Sequence, residues 1–350
     1  MKIVIVTDAW EPQVNGVVRT LKMTARELGL LGHQVEVIAP HDFHNVPCPT
    51  YPDIRLALAT RGMVARRLDA LAPDCLHIAT EGPLGWAARA VARARGWPFT
   101  TAYHSRFPEY LHLRTRLPVA WSYAVLRRFH NAGQAALVPT EQMVEDLRAR
   151  GFTTPALWSR GVNLEVFTPE GPKLERTGSP VFLYVGRLAV EKDVDAFLRL
   201  DLPGEKWVAG TGPEEARLHR EYPGVRWFGV LDAPRLAELY RSADVKVFPS
   251  RTDTFGLVLA ESMACGTPVA ALPVIGPIDV VGSSGQGGVL SHDLRQACLD
   301  ALQCDRAAVH AFAQRYSWAA ATLQFEQALR PIKGAGSGSD AAAQQRGAMA

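Results

Sequence analysis

Long hydrophobic runs are missing from this sequence. No stretch of 18 apolar residues occurs, so nothing in it reads as a membrane-spanning helix. After Lys2 the N-terminus offers only four consecutive apolar residues, Ile3–Val6, too few for a secretory core. They read as a first strand, and the expected location is cytoplasmic. Cysteine is scarce: Cys48, Cys75, Cys265, Cys298 and Cys304 are odd in number, and no two stand at CxxC spacing. That argues against a disulfide framework and a structural zinc site, and for reduced thiols. Charge of one sign is lacking too. Lys plus Arg number 38 and Asp plus Glu 35, a net +3, too balanced for a nucleic-acid binder with its basic stripe. The GxGxxG fingerprint is absent, which disfavours a nicotinamide cofactor.

What the chain does have is the composition of a folded globule, 47% hydrophobic and 21% charged, and 350 residues, enough for two domains. Short β-branched runs recur between helical patterns. Ile3–Val6, Val35–Ile38, Cys75–Ile78, Phe99–Ala102 and Ala136–Val138 are strand-like. Helices are expected over about 17–31, 86–95 and 141–150. Runs apolar throughout suit strands buried on both faces, and alternation with helices gives a parallel sheet. The texture changes at Thr168–Pro180, whose prolines, glycines and mixed charge read as a linker. Alternation restarts with Val181–Val185, Trp207–Ala209, Val225–Phe228, Val245–Phe248 and Val269–Ala271, with helices expected near 233–242, 255–265, 293–303 and 319–329. Two doubly wound α/β domains follow, facing a central cleft, where small-molecule sites favour the carboxyl ends of the strands. Low-complexity sequence from Gly334 to Ala350 is expected to be a disordered tail.

Several loops after strands carry chemistry. The first strand ends at Thr7-Asp8, and Gly16 opens the next helix, where backbone amides can approach an anion. In the second half, Arg187 and Lys192 stand five residues apart after a strand, a fork and a point charge suited to a diphosphate. Gly210-Thr211-Gly212-Pro213 forms a glycine turn after the following strand. Asp253 sits in a loop after a strand. Glu261 stands eight residues on, about two turns into a helix beginning near Thr254. An Asp and a Glu so spaced can each hold hydroxyls on different parts of one elongated ligand. No acidic or histidine cluster with metal-ligand spacing accompanies these loops, so the basic side chains are expected to replace a divalent ion.

These segments together resemble the retaining, nucleotide-sugar-dependent glycosyltransferases of the GT-B fold, family 4 type. Bacterial mannosyltransferases and glycolipid glycosyltransferases belong to that group. The matching pieces are TDAWEPQVNGVVRTL, HSRFPEY (His104–Tyr110), SRGVNLEVFTP (Ser159–Pro169), VGRLAVEKD, GTGP and FGLVLAESMACGTPVAA. One departure is an Asp253-x7-Glu261 pair where Glu-x7-Glu is usual. The resemblance implies an N-terminal acceptor-side domain over 1–168, a nucleotide-sugar domain over 169–314, and a helix over 315–330 packing back on the first domain. It implies catalytic roles for Arg187, Lys192, His104 and Asp253, with Arg187 and Lys192 on the donor diphosphate and Asp253 on the sugar. Gly16, Gly212, Gly256, Leu257 and Glu261 would bind the donor, Glu261 at the ribose. Asp8, Trp10 and Asn15 would line the acceptor side. The implied partners are a nucleotide sugar and a lipid or glycan acceptor, with no cofactor and no metal. A nucleotide-sugar epimerase or hydrolase and a non-catalytic sugar-nucleotide binder are the alternatives. Basic and aromatic residues at helical spacing over 110–130, among them Arg114, Arg116, Trp121, Arg127 and Arg128, suit an anionic membrane surface.

Overall fold

The computed structural model describes residues 1–13, 15–48, 51–282 and 285–332. The 334–350 tail, Val14 of the first loop and the side chains of Cys48 and Arg114 lie outside the described residues.

Two parallel sheets make the molecule. The first contains β1 (Lys2–Val6), β2 (Gln34–Ile38), β5 (Cys75–Ile78), β6 (Thr100–Ala102), β7 (Ala135–Val138) and β8 (Pro155–Leu157), ordered β2-β1-β5-β6-β7-β8. β3 (Asn45–Cys48) and β4 (Tyr51–Ala57) form a separate antiparallel pair. The second sheet holds β9 (Val181–Val185), β10 (Glu205–Ala209), β11 (Arg226–Trp227), β12 (Val245–Phe248), β13 (Val269–Ala271) and β14 (Gly288–Leu290), ordered β11-β10-β9-β12-β13-β14. Ile3–Val6 and Val181–Val185 are buried along their length, as strands covered by helices on both faces must be.

The strand order fixes where ligands can enter. In the first sheet the chain runs from β1 outward to β2, then crosses to β5 on the other side. In the second it runs from β9 outward through β10 to β11 and crosses back to β12. The loops leaving β1, β9 and β12 therefore open at switch points, where crevices form beyond the carboxyl ends.

The linker after Thr168 is irregular and is pinned by Arg241, whose guanidinium donates to Pro172 O at 2.9 Å and Thr168 O at 3.3 Å. The last helix, Trp318–Ala328, returns to the first domain. Its Phe325 shares one core cluster with Ile3, Ile5, Leu21 and Trp158, and Ile332 N donates to Asp74 O at 2.8 Å.

Two features differ from the sequence expectation. The helix after the Pro249 loop begins at Leu257, not near Thr254, because Gly256 takes a left-handed φ of 79° that breaks the run. Glu261 thus lies about one turn into its helix rather than two. The β3–β4 pair was not expected, since Pro47 and Pro52 argue against strands.

Candidate active site

The loop after β1 is held by caps. Asp8 accepts from Leu84 N at 2.9 Å, Gly85 N at 3.3 Å and Thr80 Oγ1 at 2.8 Å, so its carboxylate sits on the N-terminus of helix Pro83–Arg95. Burial pushes its pKa up against those hydrogen bonds. Trp10 is half-buried against the first domain's core. Asn15 caps helix Gly16–Leu30, its Oδ1 accepting from Val17 N and Val18 N, both at 3.0 Å. Asp8 and Asn15 therefore use their side-chain oxygens to set the loop's shape, and Gly16 opens the helix.

Across the cleft, Gly256 opens helix Leu257–Ala264. A Cβ placed on Gly16 would stand 3.7 Å from Leu257 Cδ1. Two helix starts, one from each domain, thus lie close together. Asn15 already takes Val17 N and Val18 N of the first, so the partial positive charge of the two helix ends, more than free amides of the first, is what can stabilise an anion beside them.

Lys192 ends a short 3₁₀ turn, Val190–Lys192, in the loop after β9, and its ammonium pairs with Asp253 Oδ1. Burial alone would lower the lysine's pKa and raise the aspartate's; the pairing reverses both, holding Lys192 above and Asp253 below their usual ranges. The other carboxylate oxygen of Asp253 is buried without a hydrogen-bond partner among the described residues. Arg187 is exposed on the same loop, and its carbonyl accepts from Tyr184 Oη at 2.9 Å. Gly212 is required by close packing of loops: a Cβ there would meet Leu188 O at 2.3 Å. Beneath them lies Lys246 of β12, fully buried, donating to Val247 O at 2.9 Å and Val185 O at 3.4 Å, with Tyr184's ring 4.9 Å from its ammonium. Burial lowers its pKa to about 7.

Glu261 is buried and bridges the domains. One oxygen meets the Arg19 guanidinium of helix Gly16–Leu30, and the other accepts from Tyr240 Oη at 3.3 Å. Burial raises its pKa, opposed by Arg19. Two further bonds cross the cleft: Thr254 Oγ1 donates to His104 O at 2.7 Å, and Tyr110 Oη to Thr252 O at 3.3 Å.

The cleft therefore gathers Gly16, Leu257, Lys192, Asp253 and Glu261, with His104 joined to the Asp253 loop through its backbone. Arg19, Tyr240 and Lys246 lie with them and were not singled out in the sequence; nor was Arg160, whose Nη2 lies 3.3 Å from His104 Nδ1. Arg19 stands one turn after Gly16, on a face that only the opposite domain reveals. Lys246 left one trace: a charge inside the apolar strand Val245–Phe248.

The Glycosyltransferase Family 4 model matches residues 14–166, and the Glycosyl transferases group 1 model matches 179–304, one on each sheet. A GDP-mannose-dependent alpha-mannosyltransferase of Mycobacterium tuberculosis is 31% identical over 312 residues, covering 80% of this chain and 81% of its own. A sulfoquinovosyl transferase of Arabidopsis thaliana is 28% identical over 307 residues, 78% of this chain and 60% of that protein. Among solved structures, sucrose-phosphate synthase from Thermosynechococcus elongatus aligns with a TM-score of 0.71 at 21% identity, covering 93% of this chain and 97% of that one. The order of strands, the paired helix starts across the cleft and these kinships converge: the chain belongs to the family 4 glycosyltransferases of the GT-B fold and is a glycosyltransferase.

Proposed function

We propose that this enzyme transfers a mannosyl unit from GDP-mannose, with retention of anomeric configuration, to a lipid acceptor at an anionic membrane surface. The observation that carries the donor side is the closeness of the helix starts at Gly16 and Leu257, together with Lys192 paired to Asp253 in the loop that leads to Leu257. Breaking the bond between the anomeric carbon and the phosphate leaves the nucleoside diphosphate with the electron pair. Lys192, Arg187 and the two helix ends are preorganised to stabilise that growing negative charge. Asp253 accepts from hydroxyls of the sugar and Glu261 from those of the ribose. His104 stands by the sugar. Retention follows if the acceptor hydroxyl attacks an oxocarbenium-like centre on the face the diphosphate leaves, its proton passing to an oxygen of the departing diphosphate. The cations and helix ends take the role a divalent ion plays elsewhere, so transfer should survive EDTA. Loss on chelation with recovery in Mg²⁺ or Mn²⁺ contradicts that part.

Mannose as the sugar is supported by the Mycobacterium relative, whose name gives its donor as GDP-mannose. Thermal shift against GDP-mannose, UDP-glucose and UDP-galactose tests it. A ligand at a hundredfold its Kd stabilises by about 2.7 kcal/mol, so the true donor should stand out. Proton NMR of the product decides retention. A shift with UDP-sugars alone, or an inverted anomer, refutes the corresponding part.

The acceptor side is supported by exposed apolar residues over 107–125 of the first domain. Trp121 is 70% exposed, Phe107 and Val125 53%, and Leu117 44%, and Arg116, Arg127 and Arg128 are exposed in the same stretch of chain. Exposed aromatic and aliphatic side chains interspersed with arginine suit the boundary of an anionic leaflet. Binding to liposomes should rise with anionic lipid, fall with salt and drop in Arg127→Ser/Arg128→Ser. Indifference to anionic liposomes at low salt would favour a soluble glycan acceptor.

A further inference from the structure

His104 follows β6 at the domain boundary; the residue is half-buried, with its Nε2 turned inward out of reach of solvent. One ring nitrogen, Nδ1, lies 3.3 Å from Arg160 Nη2. A guanidinium has only donors, so Nδ1 must offer its lone pair and the ring proton must sit on Nε2. A second proton on Nδ1 would point one N–H at another.

Arg160 is built to hold that post. It is 4% exposed, its Nη1 donates to Trp158 O and to Ser159 O at 3.1 Å, and its guanidinium lies 4.2 Å from the centre of the Trp158 ring. Among the described residues no carboxylate pairs with it, and burial lowers its pKa only to about 9, so it stays charged at neutral pH. Trp158 also packs edge-on to His104, with ring centres 5.7 Å apart. The ionisable groups that bear on the imidazole are Arg160 after β8, His77 on β5 and His130 at the end of helix Val119–His130. Burial first, then Arg160, then the two histidines, push His104 well below the usual imidazole range. His77 is itself held down to about 3 by burial, with Arg160 adding to it.

Nε2 of His104 is buried and has no hydrogen-bond partner among the described residues. Buried N–H groups are seldom left unpaired, so this one is missing an acceptor. We infer that Arg160 is a positioning residue that locks His104 as the neutral Nε2–H tautomer, making the ring a hydrogen-bond donor to an oxygen of the bound nucleotide sugar and barring it from service as a proton-accepting base. The lock on the tautomer stands on the Arg160–His104 geometry alone. The identity of the oxygen rests on the proposed function.

The experiment is ¹⁵N NMR of the full chain labelled at histidine, with His104→Gln used to assign the resonance. In the wild type without ligand, His104 should show a protonated Nε2 and a bare Nδ1, and should not titrate between about pH 5 and pH 8. Arg160→Met leaves burial in force but removes the donor at Nδ1, so the ring should show a mixture of Nδ1–H and Nε2–H tautomers in place of one. Arg160→Lys keeps a donor and should restore the single Nε2–H tautomer. A wild-type His104 carrying its proton on Nδ1, or titrating normally, overturns the inference without any variant needing to fold. On addition of nucleotide sugar, the Nε2–H proton should move downfield, and His104→Leu should lose about tenfold or more in kcat with a smaller change in KM. An unmoved proton and wild-type turnover in His104→Leu overturn the contact with substrate. If no nucleotide sugar binds the wild type at all, the proposed function fails while the tautomer result still decides the role of Arg160.

Discussion

Lys246 is a cation on a strand whose neighbours Val245, Val247 and Phe248 are apolar and buried. Its native pKa, about 7, lies below the ordinary 10.5, so between those values the unfolded chain binds more protons than the native one. Stability contributed by this group therefore rises with pH across that interval. Against Lys246→Met, the wild type should gain in melting temperature as pH is raised from about 7 to about 10; a difference independent of pH would mean the ammonium is not held as described. The acidic pair gives a second prediction. Glu261→Ala should weaken binding of the bare nucleotide in calorimetry, whereas Asp253→Asn should leave it nearly unchanged and cut turnover, since an acceptor to the sugar becomes partly a donor. The reverse pattern would exchange the two roles. Lys192 and Asp253 were legible in the sequence because each lies in a loop after a strand, and Glu261 because it stands at a fixed offset from Asp253 in the helix that follows. Arg19 was not: it meets Glu261 across 242 residues of chain, and nothing local marks that contact. Arg160 stood within SRGVNLEVFTP, yet its burial comes from the Trp158 ring and His104, which only folding brings together.

The helix that starts at Leu257 depends on how its first amide is aimed. Gly256 sets that aim with a left-handed backbone, and an added Cβ would come within 3.1 Å of Phe248 Cζ. Gly256→Ala should therefore cost about 1–2 kcal/mol in stability and weaken binding of a nucleoside diphosphate more than that of the nucleoside. Chemical denaturation and calorimetry read the two effects separately, and equal loss for both ligands would contradict a phosphate role for the helix start. The elements themselves were largely legible. Ile3–Val6, Cys75–Ile78, Val181–Val185 and Val245–Phe248 appear where apolar runs placed them, because strands covered on both faces need such runs. The β3–β4 pair escaped because its prolines mimic a loop. The start of the Leu257 helix was misplaced because helical periodicity cannot see a left-handed glycine ahead of it.

Two switch points, one per sheet, make a single site only if the domains hold together. Glu261 with Arg19, Thr254 with His104 and Tyr110 with Thr252 all span the cleft, while the linker and the returning Trp318–Ala328 helix join the domains away from it. Strand order could be inferred as doubly wound from the alternation of elements, but the closeness of Gly16 to Leu257 could not, since domain docking leaves no period in a sequence. In the proposed function, the donor phosphates lie by those helix starts with Lys192 as their counter-charge. The most direct test is the turnover of Lys192→Ala with nucleotide sugar varied at saturating acceptor, alongside its far-UV circular dichroism. A fall in kcat/KM of about 10²-fold or more with an unchanged spectrum is expected, because a charge-assisted contact that strengthens in the transition state is lost. Wild-type turnover by the folded variant would show that the leaving diphosphate is stabilised elsewhere.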